Sequence, residues 1–211
     1  MRRSEQWICF DLGGVLARIC THWHQAVALA GETAAEESAL QTKMSDCPEF
    51  DLYQHGLIES PAYLEGLSKF LGLSGQEAAA KVHAAILIRP YDGTEEVVAR
   101  LRAAGIPTAC LSNTNAPHWQ IMAFSDRFPA ISQLDLKVAS HEIKLHKPDR
   151  AIFEKFEELA GAKGDAITYF DDSRANVDAA LDCGWRSYWI DPTVETAPQM
   201  LKHLQKNSPV V

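Results

Sequence analysis

Hydrophobic and polar positions divide the chain into three stretches. Residues 7–10, Trp-Ile-Cys-Phe, form a short apolar run that stops at Asp11, and Gly13 and Gly14 follow at once. Such a run reads as a buried strand, and the two glycines permit a tight turn that aims backbone N–H groups at the carboxylate. From residue 17 to about 90 the spacing is helical. Helices are predicted over 22–30 (closed by Gly31), over 33–44, from Ser60-Pro61 to Leu71, and from Ser74, with Glu77 at capping-box distance, toward Leu87. No strand is predicted here, so this stretch reads as an all-helical insertion.

From Asp92 onward helices and strands alternate. Asp92 and Glu95 open a helix that Gly105 closes. Strands are predicted at 107–111, 134–138, 166–170 and 186–190, with helices over 118–128, 148–160, 173–183 and 195–205 between and after them. Strands alternating with helices of this length imply a doubly wound parallel α/β sheet with right-handed crossovers, Rossmann-like in outline. The expected organisation is a core domain of residues 1–16 and 91–211, with a helical cap domain over 17–90.

Composition narrows the partners. Twenty Lys and Arg stand against 28 Asp and Glu, a formal charge of −8, and there is no basic cluster beyond Arg2-Arg3. Nucleic acid and anionic membrane surfaces are therefore not expected partners. Five cysteines without a CxxC pair, no long apolar run and no leader-like N-terminus point to a cytoplasmic protein, as a monomer or homodimer.

Three predicted strands end in polar groups: Asp11, Ser112-Asn113 and Asp171-Asp172. In a doubly wound sheet these ends converge on one edge, and Lys147 follows another strand within reach. Taken singly, Asp11 is equally a turn residue, Asp172 a helix cap, and Lys147 a surface lysine. Taken together, they suit phosphoryl transfer, in which a carboxylate attacks phosphorus and cations and N–H groups neutralise the phosphate. The proposed roles are Asp11 as nucleophile and Mg²⁺ ligand, with the Gly13 carbonyl and Asp172 completing the metal ligands. Asp171 and Asn176 would orient metal-bound water. Leu12, Gly13 and Gly14, with Ser112, Asn113 and Lys147, would hold the phosphate oxygens. His22 and His24, two residues apart on a helix, do not share a face and read as structural. Trp23, Tyr53 and His55 are more often core than pocket lining, and Trp119, Trp185 and Trp189 read as packing residues.

The motifs Asp-Leu-Gly-Gly-Val at 11–15, Ser-Asn-Thr at 112–114, Lys-Pro at 147–148 and Asp-Asp-Ser-Arg-Ala-Asn at 171–176 appear in this order. In that order the sequence resembles the haloacid dehalogenase-like (HAD) hydrolase superfamily over essentially its whole length. The runs at 113–118 and 54–60 are similar to the branch holding sugar-phosphate phosphatases and the phosphatase domain of soluble epoxide hydrolases. The resemblance implies a Mg²⁺-dependent phosphatase acting on a small phosphorylated metabolite through an aspartyl-phosphate, with the helical stretch as the family's cap. One position departs from it. Family phosphatases carry a second aspartate two residues after the nucleophile, as general acid and base, and here that position is Gly13. Such help is worth roughly two to four orders of magnitude in rate, so turnover is expected to be slow or restricted to good leaving groups. His118 is the first candidate to replace the missing acid, ahead of His22 and His24. The departure leaves two alternatives: a phosphate- or metabolite-binding protein with little turnover, and a metal-independent haloacid dehalogenase.

Overall fold

The computed structural model describes residues 6–207, so Arg2-Arg3 lie outside the described residues. Among the described residues there are seven strands: β1 Trp7–Phe10, β2 Ala17–Ile19, β3 Leu87–Pro90, β4 Thr108–Ser112, β5 Leu136–Ala139, β6 Ile167–Asp171 and β7 Arg186–Trp189. Five form one sheet in the order β5-β4-β1-β6-β7, and every pairing in it is parallel. This is the expected doubly wound α/β core. β1 lies in the middle, so Asp11 leaves the sheet between the ends of β4 and β6.

Helices cover both faces, which is why the strands read as continuous apolar runs. Successive β1 residues alternate between two hydrophobic clusters. Ile8 and Phe10 join Leu12, Val98, Phe128 and Phe170 on one face, whereas Cys9 joins Leu111, Phe153, Tyr169 and Trp185 on the other. All these side chains are buried, each large one contributing roughly 1.5–3 kcal/mol. A third cluster (Trp23, Phe50, Tyr63, Leu67, Val82 and their neighbours) lies within the helical stretch and packs on itself.

Three expectations for that stretch need correction. It is not all helical: β2 and β3 pair antiparallel as a two-stranded ribbon where the chain leaves and rejoins the core. The helix predicted over 33–44 shrinks to Glu37–Leu40 and a short 3-10 turn at Met44–Asp46. A helix at Pro48–Gln54, with Pro48 in its first turn, was not predicted. The helix at Ser60–Leu71 matches expectation, that at Trp23–Ala30 starts one residue later, and that at Gln76–Ala85 is shorter at both ends than expected, because Leu87 begins β3. All five cysteines are free thiols.

Candidate active site

Asp11 follows the last residue of β1, and its N–H donates to the Phe170 carbonyl at 2.8 Å. The chain then turns on Leu12, whose carbonyl accepts from Leu16 N–H at 2.9 Å and Ala17 N–H at 2.7 Å. Gly14 makes this turn possible for two reasons. Its φ is +74°, the left-handed region where a side chain is strained, and a Cβ there would lie 2.3 Å from Asp172 Oδ2. The loop after β1 and the loop after β6 therefore touch, bringing Asp172 beside Asp11. Carboxylate oxygens of Asp11, Asp171 and Asp172 all lie within 4.8 Å of one another.

Lys147 sits among them with its side chain 1% exposed. Its ammonium is 2.8 Å from Asp171 Oδ2 and 2.9 Å from Asp11 Oδ1. The second contact is an ion pair, and the Lys147 ammonium is the one partner of buried Asp11 Oδ1 among the described residues. Burial works against the ammonium's charge, but Asp11 and Asp171 outweigh it and hold Lys147 protonated above the ordinary lysine range. Asn113 positions the lysine: its Oδ1 accepts from Lys147 N–H and its Nδ2 donates to the Lys147 carbonyl, both at 2.9 Å. This clamp uses the Asn113 side chain, a role that the sequence does not signal.

Asp171 is fully buried and well supplied with donors. It accepts from Lys147 Nζ, from Tyr169 O–H, from Ser173 N–H at 2.7 Å and from Asn176 Nδ2 at 3.0 Å. Asp171 and Asn176 thus hold Lys147 and the loop after β6, rather than pointing freely at metal-bound water. Tyr169, which also accepts from Lys147 Nζ at 2.9 Å, belongs to this network and was missed; its place inside an apolar strand gave no signal. Ser112, the buried last residue of β4, and Asn113 line the cavity beside Asp172 and Gly13.

Three carboxylates facing one ammonium leave excess negative charge in a buried place. Desolvation, partly offset by Lys147 and reinforced by Asp171, raises the Asp11 pKa to about 6. Desolvation and the charges of Asp11 and Asp171 raise Asp172 to about 7. Both shifts reflect carboxylate charge that one ammonium does not balance. The residues fit a hard, oxygen-preferring divalent ion such as Mg²⁺.

His118 does not replace the missing acid. Its Nε2–H donates to the His83 carbonyl at 2.9 Å, and its Nδ1 faces the Asn115 Nδ2–H at 3.3 Å. Both nitrogens are therefore engaged within the protein, and burial lowers the pKa to about 4, so the ring is neutral and holds no proton for a leaving group and no donor for a phosphate. It belongs instead to a buried chain joining the helical insert to the core: Tyr63 O–H to His83 Nδ1 at 2.9 Å, and His83 Nε2–H to Asn115 Oδ1 at 3.1 Å. The His83 and His118 rings stack at 4.0 Å. His22 and His24 lie in the insert with ring centroids 5.7 Å apart. Trp23 and Tyr53 are buried in the insert's core, whereas His55 stacks on His146, next to Lys147, at 3.9 Å. Trp119 and Trp185 are buried, and half-buried Trp189 donates to the Asp172 carbonyl at 2.7 Å.

The sequence model of the haloacid dehalogenase-like hydrolases matches residues 6–184. The chain belongs to that family. The fold is shared with a HAD family enzyme of Bacteroides thetaiotaomicron, at TM-score 0.77 and 22% identity over 92% of this chain and 98% of that one. A predicted HAD-like hydrolase of Porphyromonas gingivalis has TM-score 0.76 and 24% identity over 96% and 99%. The Bacteroides protein has also been solved with magnesium and inorganic phosphate; that structure has TM-score 0.68 and 21% identity over 88% and 93%. Among curated proteins, an (S)-2-haloacid dehalogenase of Pseudomonas putida is 28% identical over 105 residues, 49% of this chain. That match spans only 45% of the dehalogenase.

Proposed function

We propose that this HAD-like hydrolase is a Mg²⁺-dependent phosphatase of small phosphorylated metabolites, with Asp11 as the nucleophile. The observation that carries the reading is the cluster of three carboxylates, Asp11, Asp171 and Asp172, beside a single buried ammonium. A substrate anion would meet repulsion there unless a divalent cation were present. The Bacteroides relative, of the same fold, binds magnesium and phosphate and supports the reading.

Asp11, the Gly13 carbonyl and Asp172 are the groups that would hold the ion, which supplies positive charge to the phosphate oxygens when bound. An Asp11 oxygen attacks phosphorus, forming the Asp11–phosphate bond as the ester P–O bond breaks and the leaving oxygen takes the electron pair. Water then attacks the same phosphorus and frees the Asp11 carboxylate and inorganic phosphate, its proton passing to solvent or phosphate. Ser112 and the Asn113 N–H stand beside the transferring oxygens, while Lys147 neutralises charge on Asp11 throughout.

The test is phosphate release from sugar phosphates, nucleotides and an aryl phosphate, with and without Mg²⁺, using Asp11→Asn as control. Mg²⁺-dependent release that disappears in the variant is expected; a folded protein that binds Mg²⁺ and releases nothing refutes a phosphatase. A dehalogenase is the second reading, favoured by Gly13 and by the Pseudomonas relative. It predicts metal-independent halide release from 2-haloacids in the same assay.

A further inference from the structure

Besides the Asp11 cluster, one other group of metal-ligating side chains comes together among the described residues: Asp51, His55 and His146. A donor atom from each lies within 4.8 Å of the others. Asp51 and His55 stand four residues apart where the helix Pro48–Gln54 ends, and His55 keeps helical backbone angles. Their side chains therefore share one face, the spacing by which a helix presents two ligands to one ion. His146 comes from the core, one residue before Lys147. Insert and core are held together at this place. Ser140 Oγ donates to the Gln54 carbonyl at 2.6 Å, and a Cβ on Gly56 would lie 2.5 Å from the His141 carbonyl oxygen.

The ring nitrogens are disposed as ligands are. His55 Nδ1–H donates to the Asp51 carbonyl at 2.9 Å, which fixes the tautomer and leaves a lone pair on Nε2. His146 Nε2 is buried with no hydrogen-bond partner, 4.0 Å from Asp51 Oδ1. Ring stacking at 3.9 Å accounts for the nearness of the two histidines but leaves that nitrogen unpaired. His146 Nδ1 lies 3.1 Å from Asn113 Nδ2 and also meets the Lys147 backbone, whose carbonyl can accept from Nδ1–H when Nε2 binds an ion. Burial, reinforced by the neighbouring His55, lowers the His146 pKa to about 4, so the ring is neutral, the form that ligates. Around a tetrahedral ion with bonds of about 2.0–2.2 Å, donor atoms stand roughly 3.3–3.6 Å apart. Rotation of the Asp51 and His55 side chains, 55% and 25% exposed, closes the present spread, and an ion enters by the same opening.

We propose that Asp51, His55 and His146 form a second metal site, for a divalent transition ion such as Zn²⁺ or Co²⁺, that ties the helical insert to the core loop before Lys147. Two imidazoles and one carboxylate suit such an ion, whereas Mg²⁺ prefers the all-oxygen cluster at Asp11. Water fills the fourth position. The site stands or falls independently of the phosphatase reading.

The test is titration of the metal-free whole chain with Co²⁺ in excess Mg²⁺, followed by visible absorption and calorimetry. One Co²⁺ per chain is expected, displaced by Zn²⁺, and Zn²⁺ should raise the melting temperature. His55→Ala, Asp51→Asn and His146→Gln should each weaken Co²⁺ binding at least about tenfold. Asp172→Asn, which alters the other cluster, and the paired variant His22→Ala/His24→Ala, which removes the other neighbouring histidines of the insert, should leave it unchanged. No Co²⁺ uptake in excess Mg²⁺ overturns the proposal. Uptake that survives His55→Ala at full affinity overturns it, as does uptake lost in Asp172→Asn or in the His22/His24 variant, because each places the ion elsewhere. Should His146→Gln fail to fold, the partly exposed positions His55 and Asp51 still decide the matter.

Discussion

Lys147→Met removes the ammonium that faces both Asp11 and Asp171 while keeping most of the side-chain volume. Asp171 retains Tyr169, Asn176 and the Ser173 N–H as donors, so most of the damage falls on Asp11, whose buried Oδ1 has no other partner. Breaking a buried ion pair by deleting one partner costs about 3–5 kcal/mol. That cost depends on pH. The Asp11 pKa is already raised to about 6 with Lys147 present. Without the lysine it rises further, and each unit is worth about 1.4 kcal/mol. At about pH 8 Asp11 is charged in the wild type, and the variant must bury that charge unpaired or protonate it, so most of the loss appears, whereas at about pH 5 it is protonated in both and the loss shrinks by at least about 1.4 kcal/mol. Urea denaturation of metal-free wild type and variant at the two pH values measures this, and adding Asp11→Asn to the variant should recover part of the loss at the higher pH. An equal loss at both pH values, with no recovery on adding Asp11→Asn, would refute the placement of Lys147 against an ionising Asp11.

Three further outcomes are expected. Because Asp11 and Asp172 have folded pKa values raised to about 6 and about 7, metal-free protein should lose stability as pH rises from about 4 to about 7. Mg²⁺ should restore it at about pH 8, where its ligands are ionised, but not at about pH 5, as thermal melts would show. Gly14→Ala places a Cβ 2.3 Å from Asp172 Oδ2 at a φ of +74°. It should cost about 1–2 kcal/mol from backbone strain alone and weaken Mg²⁺ binding in calorimetry, and unchanged metal affinity would count against Asp172 as a ligand. Asn115→Ala leaves His83 Nε2–H, His118 Nδ1 and the His118 N–H unpaired, at about 1–3 kcal/mol each before relaxation; a loss under about 1 kcal/mol by urea denaturation would argue against that network.

The polar ends of β1, β4 and β6 were readable because each closes a continuous apolar run, and a parallel sheet gathers such ends. The ribbon was not. Ala-Arg-Ile and Leu-Ile-Arg-Pro are too short to show a period, and they pair only because the chain leaves and returns at one place. The missing part of the 33–44 helix has a local cause: the N–H groups of Ala35 and Glu36 bond the Gly72 and Leu71 carbonyls and cap another helix instead. The Pro48 helix did carry a signal, proline with acids at 49 and 51 in the first turn, that went unused. His118 misled because nearness in sequence to Ser112-Asn113 says nothing of where its ring nitrogens find partners. The approach of Ile19 to Gly13 was beyond reach, because Ile19 arrives there only through the ribbon.

The chain of Tyr63, His83, Asn115 and His118 has a consequence for how the molecule comes apart. Tyr63 and His83 belong to the helical insert and Asn115 and His118 to the sheet core, and His83 bonds both core residues across the seam. Melting either part alone would break those bonds and expose the apolar seam of the survivor to water. The insert and the sheet should therefore unfold in one calorimetric transition, despite having separate hydrophobic clusters, and amide hydrogens in the two should exchange with the same limiting free energy.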